Sequence, residues 1–131
     1  MGTIFSKIVN GTIPCFKIAE NEHFMAFLDI NPIAKGHTLV IPKKETDYIF
    51  DIGDDEYQQL FLFAKRVAKA IKEVIECKKI GVAVVGLEVA HAHIHLVPIN
   101  EVYDIDFKKV KLTFSKEEFQ HIAETIASKF V

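Results

Sequence analysis

The chain contains the stretch His91-Ala92-His93-Ile94-His95-Leu96-Val97-Pro98, which holds three of its six histidines. The alternation of polar and apolar residues is typical of a β-strand, because successive side chains on a strand point to opposite faces. The three imidazoles are therefore expected in a row on one face, about 6.6 Å apart at roughly 3.3 Å per residue. The intervening residues, Ala92, Ile94 and Leu96, are expected to face the core.

A row of imidazoles is compatible with two chemistries. In the first, two rings bind a metal ion such as zinc with a ligand from elsewhere, since three rings on one straight strand cannot all reach one ion at ~2.0–2.1 Å. In the second, one ring is a nucleophile that attacks phosphorus while its neighbours orient it and donate protons. The residue types alone leave both chemistries open.

Composition limits the class of protein. The 131 residues are 50% hydrophobic and carry a net charge of −2, which predicts one domain over residues 1–131 and no nucleic-acid groove. No apolar run approaches the ~18 residues of a membrane span, and no secretory signal opens the chain. Cys15 and Cys77 form no C-x-x-C pair, so buried free thiols and a cytoplasmic location are expected.

Hydrophobic periodicity predicts five strands and two main helices. Asp54 to Cys77 has the pattern of one long helix, and Ser115-x-x-Glu118 is a capping box for a C-terminal helix. A short helix is predicted at 4–9, and strands at 16–20, 24–30, 37–41, 79–85 and 89–99. This order predicts an α+β fold with an antiparallel sheet and helices on one face.

The histidine stretch is similar to the signature of the histidine triad (HIT) family, His-φ-His-φ-His-φ-φ, where φ is apolar. Residues 4–8, 26–32 and 36–44 also resemble the Hint branch of that family, in order and spacing. The resemblance covers residues 3–98, whereas residues 99–131 carry no family motif. It implies a HIT-like fold, which is a five-stranded antiparallel sheet with one long central helix and a C-terminal helix.

The resemblance implies a nucleotide-binding hydrolase or transferase that cleaves a purine nucleoside phosphoramidate or a related conjugate, through a nucleotidyl-histidine intermediate. His93 would be the nucleophile and His95 would bind phosphate oxygens. His91 would set the tautomer of His93, and His37 would support the triad. No metal or other cofactor is implied for this chemistry.

The same resemblance implies a binding site for an AMP or GMP moiety. Asp29 would bind the ribose hydroxyls, and Gly86 would let the backbone approach the phosphate. The base pocket would contain Phe5, Phe27, Leu28 and Ile30. Taken alone, Phe27 and Ile30 are also compatible with a core, and Asp29 with a turn. The full implied binding set is Phe5, Phe27, Leu28, Asp29, Ile30, Gly86, Leu87, Glu88, His93 and His95.

Two departures from the family pattern affect these expectations. Many bacterial members hold a structural zinc at positions that are Thr3, Ser6, Glu45 and His91 here, so that site is expected to be empty. A phosphate-binding amide and a hydroxyl of the family are replaced by Ile80 and Glu88. A carboxylate repels a phosphate unless it is protonated or paired. Glu88 could instead bind a cationic leaving group or point to solvent. A nucleotide-binding regulatory module with little catalysis, and a zinc enzyme, therefore stay as alternatives.

The resemblance also implies a homodimer with a continuous sheet and the long helices packed across the two-fold axis. Residues 79–85 are too apolar for an exposed edge strand, which supports a partner. Several apolar residues of the long helix lie off its main stripe and need a second contact. Other elements of the same chain could provide that contact. The off-stripe residues are Phe61, Leu62, Ala64, Ala68 and Ala70.

Overall fold

A five-stranded antiparallel sheet forms the centre of the computed structural model, which describes residues 2–131. The strand order is β1-β2-β3-β5-β4, so β1 and β4 are the edges. The predicted α+β class and antiparallel sheet are therefore confirmed. The strands are β1 Lys17–Glu20, β2 Phe24–Leu28, β3 Thr38–Pro42, β4 Lys79–Ala83 and β5 Ile94–Ile99.

Three α-helices pack on the two faces of this sheet. The main helices α2 (Asp54–Val74) and α3 (Lys116–Ala127) share one core with one face, and the short α1 (Ile4–Val9) packs on the other face. The predicted capping box starts α3, because Ser115 Oγ accepts from the Glu118 N–H at 3.0 Å and the Glu118 carboxylate accepts from the Ser115 N–H at 2.8 Å. Two 3₁₀ turns, Ile49–Asp51 and Val102–Asp104, complete the elements.

Strand β2 shows how the sheet separates two apolar clusters. Phe24, Ala26 and Leu28 belong to the core beneath α2 and α3. Met25 and Phe27 belong to a smaller cluster beneath α1. All five residues are buried, as expected for an apolar strand that is covered on both faces.

The histidine strand is shorter than the sequence predicts. Strand β5 begins at Ile94, so His91 and His93 lie in the irregular segment before it and only His95 lies on the strand. A tight turn in which the His91 N–H donates to the Val89 carbonyl at 2.8 Å replaces the extended ladder. The ring centroids of His93 and His95 are 4.9 Å apart, which is less than the ~6.6 Å expected from a regular strand.

Other expectations need smaller corrections. Helix α2 ends at Val74 rather than at Cys77. The thiols of Cys15 and Cys77 are free, as expected, but both residues are half-buried rather than fully buried. The off-stripe residues Ala64 and Ala70 are buried in the chain's own core, while Leu62 stays exposed. None of the helices within residues 2–131 has the length and apolar character that crossing a membrane requires.

Candidate active site

A cavity of ≈ 340 Å³ opens beside the histidines, between the end of β2, the segment 85–88 and the chain after β5. Asp29, His37, Gly86, Leu87, Glu88, His93 and His95 of the predicted site line it. Four further residues that the sequence did not predict complete the lining, and they are Asn31, Val85, Phe107 and Lys111.

The ring of His93 is fixed in one tautomer by the backbone. Its Nδ1 lies 2.7 Å from the carbonyl oxygen of His91, and a carbonyl only accepts, so Nδ1 carries the proton. In the neutral form of this tautomer, the lone pair is on the other nitrogen, Nε2. The ring packs edge-on against Phe5, with 5.0 Å between centroids. The backbone thus selects the tautomer that a nucleophilic imidazole requires.

A chain of hydrogen bonds fixes His95 in the opposite tautomer. The backbone N–H of Ile33 donates to His37 Nδ1 at 3.1 Å, so the neutral His37 ring carries its proton on Nε2. That N–H donates to His95 Nδ1 at 3.0 Å. His95 must therefore carry its own proton on Nε2, which makes it a hydrogen-bond donor with Nδ1 already occupied.

Burial favours the neutral form of the His37 and His95 rings. Desolvation, followed by the charges of His37, His93 and Lys111, lowers the pKa of His95 to about 3. Desolvation also lowers the pKa of His37, although the nearby Asp29 carboxylate partly opposes it. Neutral rings at His37 and His95 avoid the repulsion that two adjacent imidazolium ions would suffer.

His91 lies behind the cavity rather than in it. Its ring is fully buried, and its Nε2 donates to the Pro42 carbonyl at 2.8 Å, so Nδ1 accepts from the Thr3 hydroxyl at 2.9 Å. Desolvation lowers its pKa as well. His91 thus acts on the site through its backbone, because its carbonyl fixes the His93 ring.

The residues at the family's structural zinc positions do not fit zinc. Glu45 Oε1 accepts from the Thr3 N–H at 3.0 Å and from the Ser6 hydroxyl at 2.7 Å. Both ring nitrogens of His91 are already hydrogen-bonded. Hydroxyls replace the thiolates that zinc favours. A hydrogen-bonded cluster thus joins α1 to the segment after β3 and to His91.

Asp29 reaches the cavity from the end of β2. Its Oδ1 accepts from the Asn31 N–H at 2.8 Å, and its Oδ2 lies 3.5 Å from His37 Nε2. Asp29, His37 and His95 each place one potential ligand atom within 4.8 Å of the others, which is a spacing that a cation could use. In the structure the two ring nitrogens are instead hydrogen-bonded to each other.

The segment 85–88 forms the outer rim. Gly86 has φ +72°, a left-handed conformation that glycine adopts without a Cβ penalty. Leu87 and Glu88 are exposed, and both line the cavity. Glu88 therefore has solvent access and also borders the site. Ile80 packs against the core beneath the helices, so it offers the cavity no polar group.

The predicted base pocket is only partly assembled. The rings of Phe5 and Phe27 lie 5.8 Å apart in the cluster beneath α1. Leu28 belongs to the opposite core, because neighbouring residues on a strand point to opposite faces. Leu28 is a buried residue of that core and does not line the cavity. Ile30 is 61% exposed, beyond the end of β2, and is not part of the cavity lining.

Phe107 and Lys111 come from the region without a family motif. The Phe107 ring lies 4.6 Å from that of His95 and 6.1 Å from that of His37. The Leu112 N–H donates to the Pro32 carbonyl at 2.8 Å and holds the segment beside β2. No local pattern in the sequence signals this placement, which depends on the tertiary fold.

A comparison with known protein families identifies the family of this chain. The HIT domain family matches residues 10–102 of the chain. The chain belongs to the histidine triad (HIT) family. The adenosine 5'-monophosphoramidase hnt1 of Schizosaccharomyces pombe is 37% identical to this HIT protein over 131 residues, 98% of each chain.

Solved HIT structures have the same fold. A HIT-like protein of Bartonella henselae, described as involved in cell-cycle regulation, superposes with a TM-score of 0.85 at 28% identity, over 98% of this chain and 96% of that one. A zinc-bound histidine triad family protein of Mycobacterium smegmatis gives a TM-score of 0.79 at 28% identity, over 95% and 93% of the two chains.

Proposed function

We propose that this HIT protein cleaves a purine nucleoside phosphoramidate or a related nucleotide conjugate. The observation that carries the proposal is the pair of opposite tautomers, with a free Nε2 on His93 beside an Nε2–H donor on His95. The similarity to a relative named adenosine 5'-monophosphoramidase supports the choice of substrate class. The activity needs only groups that the chain itself supplies.

Substrate binding uses the two ends of the cavity. The Asp29 carboxylate accepts hydrogen bonds from the two vicinal ribose hydroxyls, through the lone pairs that Asn31 leaves unused. The α-phosphate then lies against His93 and His95. The buried cluster that contains Phe5 and Phe27 lies next to the His93 ring and is the proposed apolar support for the base.

The reaction proceeds in two displacements at phosphorus. The Nε2 lone pair of His93 forms the new P–N bond as the bond to the leaving amine breaks, and the amine departs with a proton from solvent. The His93 ring then carries a positive charge, and the His91 carbonyl at Nδ1 stabilises it. Water attacks the phosphorus next, the P–N bond to His93 breaks, and the water gives a proton to solvent. This step releases the nucleoside monophosphate and restores the Nε2 lone pair.

His95 stabilises the phosphate without first taking up a proton. Its pKa of about 3 keeps it neutral near pH 7. Its Nε2–H donates to a non-bridging oxygen, where negative charge grows in the transition state. His37 holds the ring in this orientation from behind. Because these donors are fixed before substrate arrives, little reorganisation is needed during the reaction.

One observation favours a second candidate, a nucleotide-binding module with little catalysis. Glu88 borders the same cavity as His93. A carboxylate at this position opposes a bound phosphate unless a cation lies between them. A cationic leaving group would supply that cation and make Glu88 a specificity residue. Without a cationic leaving group, this repulsion would leave a protein that binds nucleotides and cleaves them slowly.

Turnover and binding, measured on the same preparation, separate the candidates. A fluorogenic adenosine phosphoramidate reports hydrolysis, and calorimetry with AMP reports binding. We expect both signals for the wild-type protein. Binding without turnover would favour the regulatory module. Activity that disappears in EDTA and returns with Zn²⁺ would favour a zinc enzyme built on Asp29, His37 and His95.

The same proposal includes a homodimer. Strand β4 is an edge of the sheet, and Val82 on it is 56% exposed. An apolar edge strand invites pairing with another strand. Two-fold pairing of β4 with its copy would cover Val82, and closed two-fold dimers are the commonest oligomers.

A further inference from the structure

The cavity contains one permanent positive charge. Lys111 is the only lysine or arginine among the cavity-lining residues within 2–131, whereas Asp29 and Glu88 are two carboxylates in the same lining. Burial keeps the pKa values of His37 and His95 low, so these rings add no cation near pH 7. An anionic phosphate would therefore meet two negative groups and one lysine.

Lys111 is held beside the histidines by its own segment. Its Nζ donates to the Phe107 carbonyl oxygen at 2.5 Å, and the Phe107 ring packs on His95. The next residue, Leu112, is tied to the loop after β2 through Pro32. The ammonium is near enough to lower the pKa of both His37 and His95 by its charge.

The ammonium has no carboxylate partner within the described residues. Within residues 2–131 no Asp or Glu oxygen lies within 4.0 Å of Lys111 Nζ. Its hydrogen-bond acceptor is a neutral carbonyl, and the residue is exposed at the cavity mouth. A lysine ammonium has three donors. It can therefore keep its contact with Phe107 and also donate to an anion in the cavity.

We propose that Lys111 binds the phosphate of the nucleotide and supplies its countercharge. The proposal rests on the proposed function and adds a residue to its site. The HIT domain match ends at residue 102, so the C-terminal segment of this chain contributes the group. Its charge also offsets the repulsion between phosphate and the two carboxylates, which neutral histidine donors cannot do.

The test compares binding of AMP with binding of adenosine, which lacks the phosphate. We expect Lys111→Gln to weaken AMP binding about tenfold or more in calorimetry, the scale of a lost charge-assisted hydrogen bond. Adenosine affinity should stay unchanged. Lys111→Arg should keep most of the AMP affinity because it keeps the charge. Lys108→Gln is the matched control, since Lys108 is an exposed lysine of the same segment outside the cavity.

Each result supports or overturns the role of Lys111. Unchanged AMP affinity in Lys111→Gln overturns it. An equal loss for AMP and adenosine also overturns it, because a disturbed segment would weaken both ligands. A wild-type protein that neither binds AMP nor cleaves the phosphoramidate overturns the proposed function and this proposal together. A wild-type protein that binds AMP while Lys111→Gln binds it equally well overturns Lys111 alone.

Discussion

The Nδ1 atom of His93 lies 2.7 Å from the backbone carbonyl oxygen of His91. Two residues of one short stretch thus have separate tasks, since His91 orients with its backbone and His93 presents its ring. The buried His91 side chain is fixed in turn by Thr3 and Pro42. The proposed nucleophile depends on a rigid support that does not itself enter the cavity.

Replacing the proposed nucleophile should abolish turnover. We expect His93→Ala to lower kcat by about 10⁴-fold or more, the scale seen when a covalent nucleophile is lost. The melting temperature should change little, and His23→Ala is the control because His23 is exposed. Steady-state kinetics on the fluorogenic phosphoramidate measure both variants. Near wild-type rates in His93→Ala would exclude this residue as the nucleophile.

Glycine at the same position gives a complementary measurement. His93→Gly leaves space for a free imidazole, so a nucleotidyl imidazolide should restore the second half-reaction. Release of AMP from this compound by His93→Gly, above the rate without protein, would show that the rest of the site remains assembled. No acceleration would count against the two-step reaction.

The ribose contact of Asp29 should discriminate between sugars. Hydrogen bonds to a charged group are worth ~1.5–3 kcal/mol. Asp29→Ala should therefore weaken AMP by about tenfold or more and weaken 2'-deoxy-AMP much less. Calorimetry with both nucleotides provides an internal control for misfolding. Equal losses for the two ligands would contradict the contact.

Acid should destabilise the protein through its buried histidines. The folded pKa of His95 is about 3, below the ordinary value of 6.5, so unfolding takes up a proton between these values. The free energy of unfolding should fall as pH drops below about 6.5, by roughly 1.4 kcal/mol per pH unit for each such histidine. His37 and His91 act in the same direction.

A variant isolates the His95 contribution. Urea titrations between pH 5 and 6.5 should show a shallower pH dependence for His95→Gln than for the wild-type protein. His121→Gln, at an exposed position of α3, should keep the wild-type slope. Identical slopes in all three proteins would mean that His95 does not carry a lowered pKa.

The hydrogen-bonded cluster at Thr3 should stabilise the protein without metal. Thr3 caps α1, because its Oγ1 accepts from the Ser6 N–H at 3.1 Å, and it also donates to His91. Thr3→Val should lower the free energy of unfolding by about 1–2 kcal/mol, since it removes a cap and leaves a buried acceptor unpaired. Thr113→Val is the control at an exposed position outside the helices.

Metal analysis completes this test. Tag-free wild-type protein should contain no stoichiometric zinc, and its melting temperature and turnover should not change in EDTA. Stoichiometric zinc, or a melting temperature that EDTA lowers, would refute the metal-free cluster.

The homodimer is tested at the edge of the sheet. Light scattering at micromolar concentration should give about twice the chain mass of 14.8 kDa. Val82→Lys should shift the protein toward the monomer, because a charge on an edge strand opposes pairing. Val102→Lys, at an exposed position outside the sheet, should leave the mass unchanged. A monomeric wild-type protein would refute the dimer.

Local sequence patterns determined the elements and their order. Alternating residues predict strands, a 3.6-residue apolar repeat predicts α2, and Ser115 with Glu118 marks the start of α3. These signals depend on neighbours within a few residues, so they can be found without a structure. The histidine stretch and its family resemblance also predicted most of the residues that line the cavity, including Gly86 and Glu88.

Only the tertiary structure decided which hydrogen bonds the site histidines make. The tautomer of His91 depends on the Pro42 carbonyl, 49 residues away, and that of His95 on His37, 58 residues away. Such contacts follow from the packing of β3, β5 and α1, and no periodicity in the sequence encodes them. The same holds for Lys111, because a polar chain segment acquires its partners only when the sheet and the loops fix its path.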